Sequence, residues 1–107
     1  NARPVESARF DTGSSDLARE HEAHLKGVTA QSPGNAFFLV VGYASKSGDS
    51  KQNETLSSNR ATRVASVVNF LKQQGQEVQA VYLGETDRFD AARDAPNQIS
   101  EVWEIRP

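Results

Sequence analysis

The sequence predicts an α/β fold, a two-layer sandwich in which two helices pack on a four-stranded mixed sheet in the order β-α-β-α-β-β. A continuously apolar, β-branched and aromatic run from Phe37 to Val41 is typical of a strand that is covered on both faces. Two other segments repeat apolar residues at spacings of three and four, as one face of a helix does. This alternation of strand and helix favours a two-layer fold with parallel neighbours and a closing antiparallel strand.

The N-terminal half contains the first strand and the first helix. The strand is predicted over Val5 to Phe10, and a cluster of turn and N-cap residue types, Asp11 to Asp16, follows it. Helical periodicity then predicts a short amphipathic helix that ends before the breaker Ser32-Pro33-Gly34-Asn35. Its apolar face is carried by Leu17, His21, Leu25 and Val28.

The rest of the chain contains three strands and the second helix. A polar loop is predicted from Ala44 to Thr55, after the apolar strand. The second helix is expected to begin near Leu56 and to end at Gln74, with Gly75 as its left-handed C-cap. The remaining predictions are a strand over Val78 to Leu83, a loop from Gly84 to Gln98 and a last strand over Ile99 to Ile105.

Length and charge narrow the class of protein. A chain of 107 residues favours one domain, residues 1–107. The net charge is −2, without clustered Lys and Arg, which argues against a nucleic-acid partner. No apolar run approaches the roughly 18 residues of a membrane span, so we expect the domain itself not to be embedded in a membrane.

No catalytic or cofactor motif is present. The chain has no cysteine, no Gly-x-Ser-x-Gly elbow and no phosphate-binding loop, so we expect neither an enzyme nor a cofactor. His21 and His24 are three residues apart, whereas the zincin pattern requires two His four apart. A surface helix explains both histidines better than a metal site does.

The segment from Asn53 to Val64 resembles the motif of the OmpA-like (OmpA/MotB C-terminal) family. That motif reads Asn, two residues, Leu-Ser, two residues, Arg-Ala, two residues, Val, and the sequence matches it at every specified position. Phe10-Asp11-Thr12-Gly13 is similar to the family's opening Phe-Asp segment, and Leu83-Gly84-Glu85 to the turn after its third strand. The resemblance therefore covers nearly the whole chain.

The resemblance implies a non-covalent anchor that binds the diaminopimelate of the peptidoglycan stem peptide. The free end of diaminopimelate carries an ammonium and a carboxylate group. In the family pattern an Asp after the second strand binds the ammonium, and the motif Arg binds the carboxylate. The motif Arg is Arg60, which we place in the first turn of the second helix and expect to grip the ligand's carboxylate. Asn53 and the loop of Gly13 are expected as secondary contacts, although Asn53 also suits a loop-shaping or capping role.

The Asp of the pattern is replaced by Ser45. A hydrogen bond to a charged group contributes roughly 1.5–3 kcal/mol and a neutral one about 0.5–1.5 kcal/mol, so the exchange is expected to weaken binding on the order of tenfold or more. Asp49, in the same loop, is the substitute acid that we include in the candidate site. Asp11 and Glu85, in neighbouring loops, are further candidates.

A second departure lies in the last strand. Where the family has an Asn-Arg-Arg-Val segment, this chain has Ile99-Ser100-Glu101-Val102, and we expect a less positive ligand pocket. Two hypotheses follow. The first is a weakened peptidoglycan anchor in the periplasm, part of a membrane-anchored envelope protein of a Gram-negative bacterium. The second is an interaction scaffold for envelope proteins, in an outer-membrane, secretion or motor assembly, that has lost peptidoglycan binding.

Overall fold

A computed structural model describes all residues, 1–107, and confirms the predicted fold class. Two helices pack on a four-stranded mixed sheet in the predicted order, and a single 3-10 turn, Ala95–Asn97, precedes the last strand. Neither helix is long and apolar enough to cross a membrane. The elements are β1 (Ala2–Arg9), α1 (Arg19–Gln31), β2 (Phe37–Ala44), α2 (Ser50–Leu71), β3 (Glu77–Glu85) and β4 (Ile99–Ile105).

The last strand lies inside the sheet. The strand order is β1-β4-β2-β3, with β4 antiparallel to both of its neighbours and β3 parallel to β2. The C-terminal ends of β1 and β2 therefore meet the N-terminal end of β4 at one edge of the molecule. The loops that follow β1 and β2 lie together there, beside the segment that enters β4.

The main core lies between the helices and one face of the sheet. Alternate residues of β2 and β4, among them Phe38, Val40 and Val102, pack against Leu25 of α1 and Val64 of α2. A smaller cluster on the opposite face is formed by Val41, Tyr43 and Ile99, with Trp103 packed against it. Trp103 thus has the sheet-face packing role that its position in β4 favours.

Gly42 allows α2 to lie unusually close to β2. A Cβ atom at this position would stand 2.8 Å from the Cβ of Ala61 and would collide with the carbonyl oxygen of Ser57. Both of these are backbone or near-backbone atoms of α2, so neither can turn away. Ser57 and Ala61, two small residues of the motif, therefore contact β2 directly.

The predicted start of α2 is wrong. The helix begins at Ser50, so Ser50 to Thr55, predicted as loop, forms its first turns. Asp49 is the N-cap, and its Oδ1 accepts hydrogen bonds from the amides of Lys51, at 2.8 Å, and Gln52, at 3.2 Å. Such a cap satisfies two of the free amides of a helix terminus. The first turns were missed because their buried position is occupied by Asn53 rather than by an apolar residue.

The predicted end of α2 is also wrong. The helix ends at Leu71, and its C-cap is Lys72 in an extended conformation rather than Gly75. Gly75 does have a positive φ of 99°, but in the turn that leads into β3. A Cβ there would approach the carbonyl oxygen of Gly34 to 2.7 Å, so the turn also requires glycine on steric grounds.

Candidate functional site

One cavity brings together four of the five predicted site residues. Its volume is about 280 Å³, and it lies where the loops after β1 and β2 meet the first turns of α2. Gly13, Ser45, Asp49 and Asn53 all line it. The other lining residues are Thr12, Ser47, Gly48, Gln52, Leu56 and Gln98.

The lining is dominated by hydroxyl and carboxamide groups. The side-chain amide of Gln98 donates to Thr12 Oγ1 at 3.2 Å and approaches Ser45 Oγ at 3.5 Å, so it joins the loops after β1 and β2. Ser45 and Gln98 are both buried. Sequence reasoning missed Gln98, whose only signal is its place immediately before β4.

Asp49 is the only carboxylate in the cavity wall. Its Oδ1 caps α2, whereas its Oδ2 accepts no hydrogen bond from the chain. A carboxylate can accept on both oxygens. Asp49 can therefore keep its capping role and still receive an ammonium group.

Asn53 shapes the wall of the cavity from inside α2. Its Nδ2 donates to the carbonyl oxygen of Ser47 and to Glu85 Oε2, both at 2.8 Å. The carboxylate of Glu85 is thereby held against α2 and does not line the cavity. Asn53 ties together the loop after β2 and the end of β3, a loop-shaping role.

Arg60 does not line the cavity, but it binds the loop after β1 and the end of β2. Its side chain is fully buried. Nε donates to the carbonyl oxygen of Ser14 at 2.8 Å, Nη2 to that of Asp11 at 3.1 Å, and Nη1 to that of Tyr43 at 3.1 Å. The expected place in the first turn of α2 is wrong, since Arg60 lies about three turns into the helix.

The positive charge of Arg60 has no counter-charge within the chain. Arg60 forms no ion pair, and its guanidinium lies 5.4 Å from the ring centroid of Phe10. Burial lowers the pKa of Arg60 to about 10, so the group stays charged at neutral pH. Two of its five N–H groups remain without a partner, because only three are donated to carbonyls.

The loops around the cavity also carry free backbone amides. The N–H groups of Gly13, Ser45 and Gly48 donate to no backbone acceptor in the chain. Backbone amides gathered in one concavity are a common means of binding an anion. Gly13, Ser45 and Gly48 all line the cavity.

Glu101 lies away from the cavity. It occupies the sheet face opposite to the helices, where it accepts a hydrogen bond from the Tyr43 hydroxyl at 3.0 Å and pairs with Arg88 at 3.5 Å. Glu101 therefore adds no acid to the cavity wall, and the expected effect of the two missing arginines stays a prediction. Ser100, next to it, faces the helices with a buried hydroxyl that has no partner.

The two histidines contact one carboxylate on β1. Nδ1 of His21 and Nδ1 of His24 lie 3.3 Å and 2.9 Å from Glu6 Oε2. Burial alone would raise the pKa of Glu6, but hydrogen bonds to His24 and His21 lower it overall. No group of three or more His, Cys, Asp or Glu side chains is arranged to hold a metal ion.

These features define an OmpA-like domain. The OmpA family matches residues 9–101, and the chain belongs to that family. Among curated proteins no sequence matches. The fold is similar to that of the peptidoglycan-associated lipoprotein from Burkholderia pseudomallei, with 24% identity, a TM-score of 0.77 and coverage of 92% of this chain and 89% of that one. It is also similar to the periplasmic domain of Helicobacter pylori MotB, with 15% identity, a TM-score of 0.73 and coverage of 96% and 70%.

Proposed function

We propose that this domain anchors an envelope protein to peptidoglycan without a covalent bond, and that its cavity receives the diaminopimelate end of the stem peptide. The observation that carries the proposal is the buried charge of Arg60, which has no counter-charge and lies behind the cavity, bound to the loop after β1 and to the end of β2. Family membership supports it, as does the name of the similar peptidoglycan-associated lipoprotein. The similar MotB domain is periplasmic, and we propose the same compartment here.

The ligand's carboxylate is proposed to bind through free amides while Arg60 stabilises it from behind the loops. In a buried site a positive charge is screened far less than it is in water, so Arg60 need not touch the ligand to favour an anion. Its direct grip on the carboxylate requires the loop of Asp11 to Ser14 to move aside. We propose a binding module rather than an enzyme.

Asp49 is proposed to take the place of the missing acid. The neutral Ser45 hydroxyl donates or accepts a hydrogen bond but has no charge to offset that of an ammonium group. Asp49 lines the same cavity and has a free carboxylate oxygen. The predicted consequence is a binding site with one direct charged contact and a correspondingly reduced affinity.

Co-sedimentation with purified diaminopimelate-type sacculi tests the proposal. We expect the wild-type domain to pellet with the sacculi, and Asp49→Asn to do so with roughly tenfold lower affinity, because Asn preserves the helix cap but loses the charge. Glu22→Gln, an equal change of charge on the exposed face of α1, is the matched control and should bind as wild type does. Absence of wild-type binding would contradict the anchor.

The alternative is a scaffold that binds envelope proteins and no peptidoglycan. The hydrogen bonds of Arg60 favour it, because they give the motif side chain a structural role in tying the loop after β1 to the end of β2. The same experiment separates the two functions. If all of the wild-type domain stays in the supernatant, the result supports the scaffold and not the anchor.

A further inference from the structure

The two edges of the sheet differ in their protection against another strand. β1 contains Pro4, which has no N–H to donate, and its register with β4 shifts between Pro4 and Glu6. It also carries Arg3 and Arg9. Proline, bulges and charged side chains are the usual means by which proteins prevent pairing at a sheet edge.

The β3 edge is less protected than β1: its register with β2 is regular from Glu77 to Tyr82, and its one shift lies at the far end, between Tyr82 and Glu85. β3 spans nine residues, Glu77–Glu85, without proline, lysine or arginine. Its first amide donates to the carbonyl of Ala36, next to β2. Because backbone groups alternate in direction along a strand, the N–H and C=O groups of Val78, Ala80 and Tyr82 point to the free edge.

Exposed apolar side chains are concentrated on this edge. Four large hydrophobic residues of the chain are strongly exposed, and three of them are consecutive in β3: Val81 at 38%, Tyr82 at 48% and Leu83 at 61%. Single exposed apolar residues are normal, whereas a contiguous group at a sheet edge indicates an interaction site. The fourth, Phe70, lies on α2 and not on this edge.

The charged residues of β3 and of the cavity beside it are all acidic. The charged residues of β3 are Glu77 and Glu85, at its two ends. A cavity beside Tyr82 and Leu83 adds Glu54 from α2 and contains no basic side chain. A second copy of β3 would place acids opposite acids in either direction of pairing, which is unfavourable.

We propose that β3 is a docking strand that accepts, as a fifth strand of the sheet, an extended segment of a partner protein with apolar residues and a Lys or Arg at each end. The backbone of Val78, Ala80 and Tyr82 supplies the hydrogen bonds, and the side chains of Val81 and Leu83 extend the apolar surface. Glu77 and Glu85 select for basic ends. This mode of binding combines main-chain affinity with side-chain specificity.

The test is an NMR titration of the labelled domain with a peptide of strand length, in which Val and Thr alternate between terminal lysines. We expect shifts and slowed amide exchange at Val78, Ala80 and Tyr82, and none with the same peptide ending in glutamates. Ala80→Pro removes one outward N–H without removing a bond to β2, and it should weaken binding roughly tenfold or more.

Matched surface variants complete the test. Leu83→Lys should abolish binding of the lysine peptide, and Phe70→Lys, the same change at an exposed site on α2, should leave it intact. No shifts in the wild type at millimolar peptide, equal binding of the glutamate peptide, or full binding by a folded Ala80→Pro variant would each overturn the proposal. Concentration-dependent shifts at β3 without peptide would show a second copy as the occupant instead.

Discussion

Arg60 ties the loop after β1 to the end of β2. Its three hydrogen bonds reach the carbonyls of Asp11 and Ser14 on one loop and of Tyr43 at the end of β2. A motif arginine in this family pattern therefore has a structural role that does not require a ligand. No carboxylate of the chain forms an ion pair with Arg60.

Replacement of Arg60 by Ala should destabilise the domain. Three carbonyls lose their donor, and we expect the free energy of unfolding to fall by about 3 kcal/mol. Arg63→Ala is the matched control, since Arg63 is exposed on the same helix and should change stability by no more than about 0.5 kcal/mol. Urea unfolding measures both, and similar values for the two variants would contradict the role of Arg60.

Glu104 is a second buried charge, far from the cavity. Burial would raise the pKa of Glu104, but hydrogen bonds from Ser32, Arg106 and Arg3 overcome this effect and lower it from 4.5 to about 2. Arg3 Nε lies 3.1 Å and Arg106 Nε 2.7 Å from Glu104 Oε1. The carboxylate thus joins β1 and the chain after β4 to the end of α1.

The lowered pKa of Glu104 makes stability depend on acid pH. A carboxyl whose pKa falls on folding stabilises the protein fully above its unfolded value of 4.5, and this contribution is lost as pH falls towards 2. Glu104→Gln should lower the free energy of unfolding at pH 7 by roughly 1.5–3 kcal/mol. The substitution should also reduce the loss of unfolding free energy between pH 4.5 and pH 2. Urea unfolding at several pH values measures this loss. If the loss of unfolding free energy is the same in Glu104→Gln as in the wild type, Glu104 is not its source.

At the scale of elements, the apolar pattern predicted every strand and both helices, but it placed the start of β1 at Val5 rather than at Ala2 and misplaced both ends of α2. The pattern follows the buried stripe from Ala61 to Leu71 and fails where Asn53, Ser57 and Arg60 replace apolar residues on the buried face. These polar residues are buried because they bind loops and backbone, not because they form the core. Hydrophobic periodicity therefore predicts the extent of α2 least well in its N-terminal part, where polar residues occupy the buried face.

Replacement of glycine by alanine should have opposite effects on stability at Gly42, in β2, and at Gly27, in α1. Gly42→Ala inserts a methyl group against the backbone of Ser57 and Ala61, and it should cost about 1–3 kcal/mol. Gly27→Ala, in α1 where nothing lies within 4 Å of the new Cβ, should stabilise the domain by roughly 0.5–1 kcal/mol. Thermal unfolding measures both. A neutral Gly42→Ala would show that α2 can move away from the sheet.

At the scale of the whole molecule, the topology explains which of the candidate site residues lie together. Gly13, Ser45, Asp49 and Asn53 line one cavity because β1, β2 and β4 bring their ends to the same edge, and their role in binding stays a prediction. The burial of Arg60, the position of Glu101 on the opposite face and the part played by Gln98 depend on tertiary contacts between distant segments. No local pattern contains that information.

The central claim is that this cavity binds the stem peptide of peptidoglycan. An NMR titration of the labelled domain with a soluble diaminopimelate-containing muropeptide tests it most directly, beside Ser45→Asp, which restores the acid of the family pattern. We predict shifts confined to the loops of Gly13 and Ser45 and the first turns of α2, with roughly tenfold or more tighter binding by Ser45→Asp. No shift in either protein at millimolar muropeptide would contradict the claim.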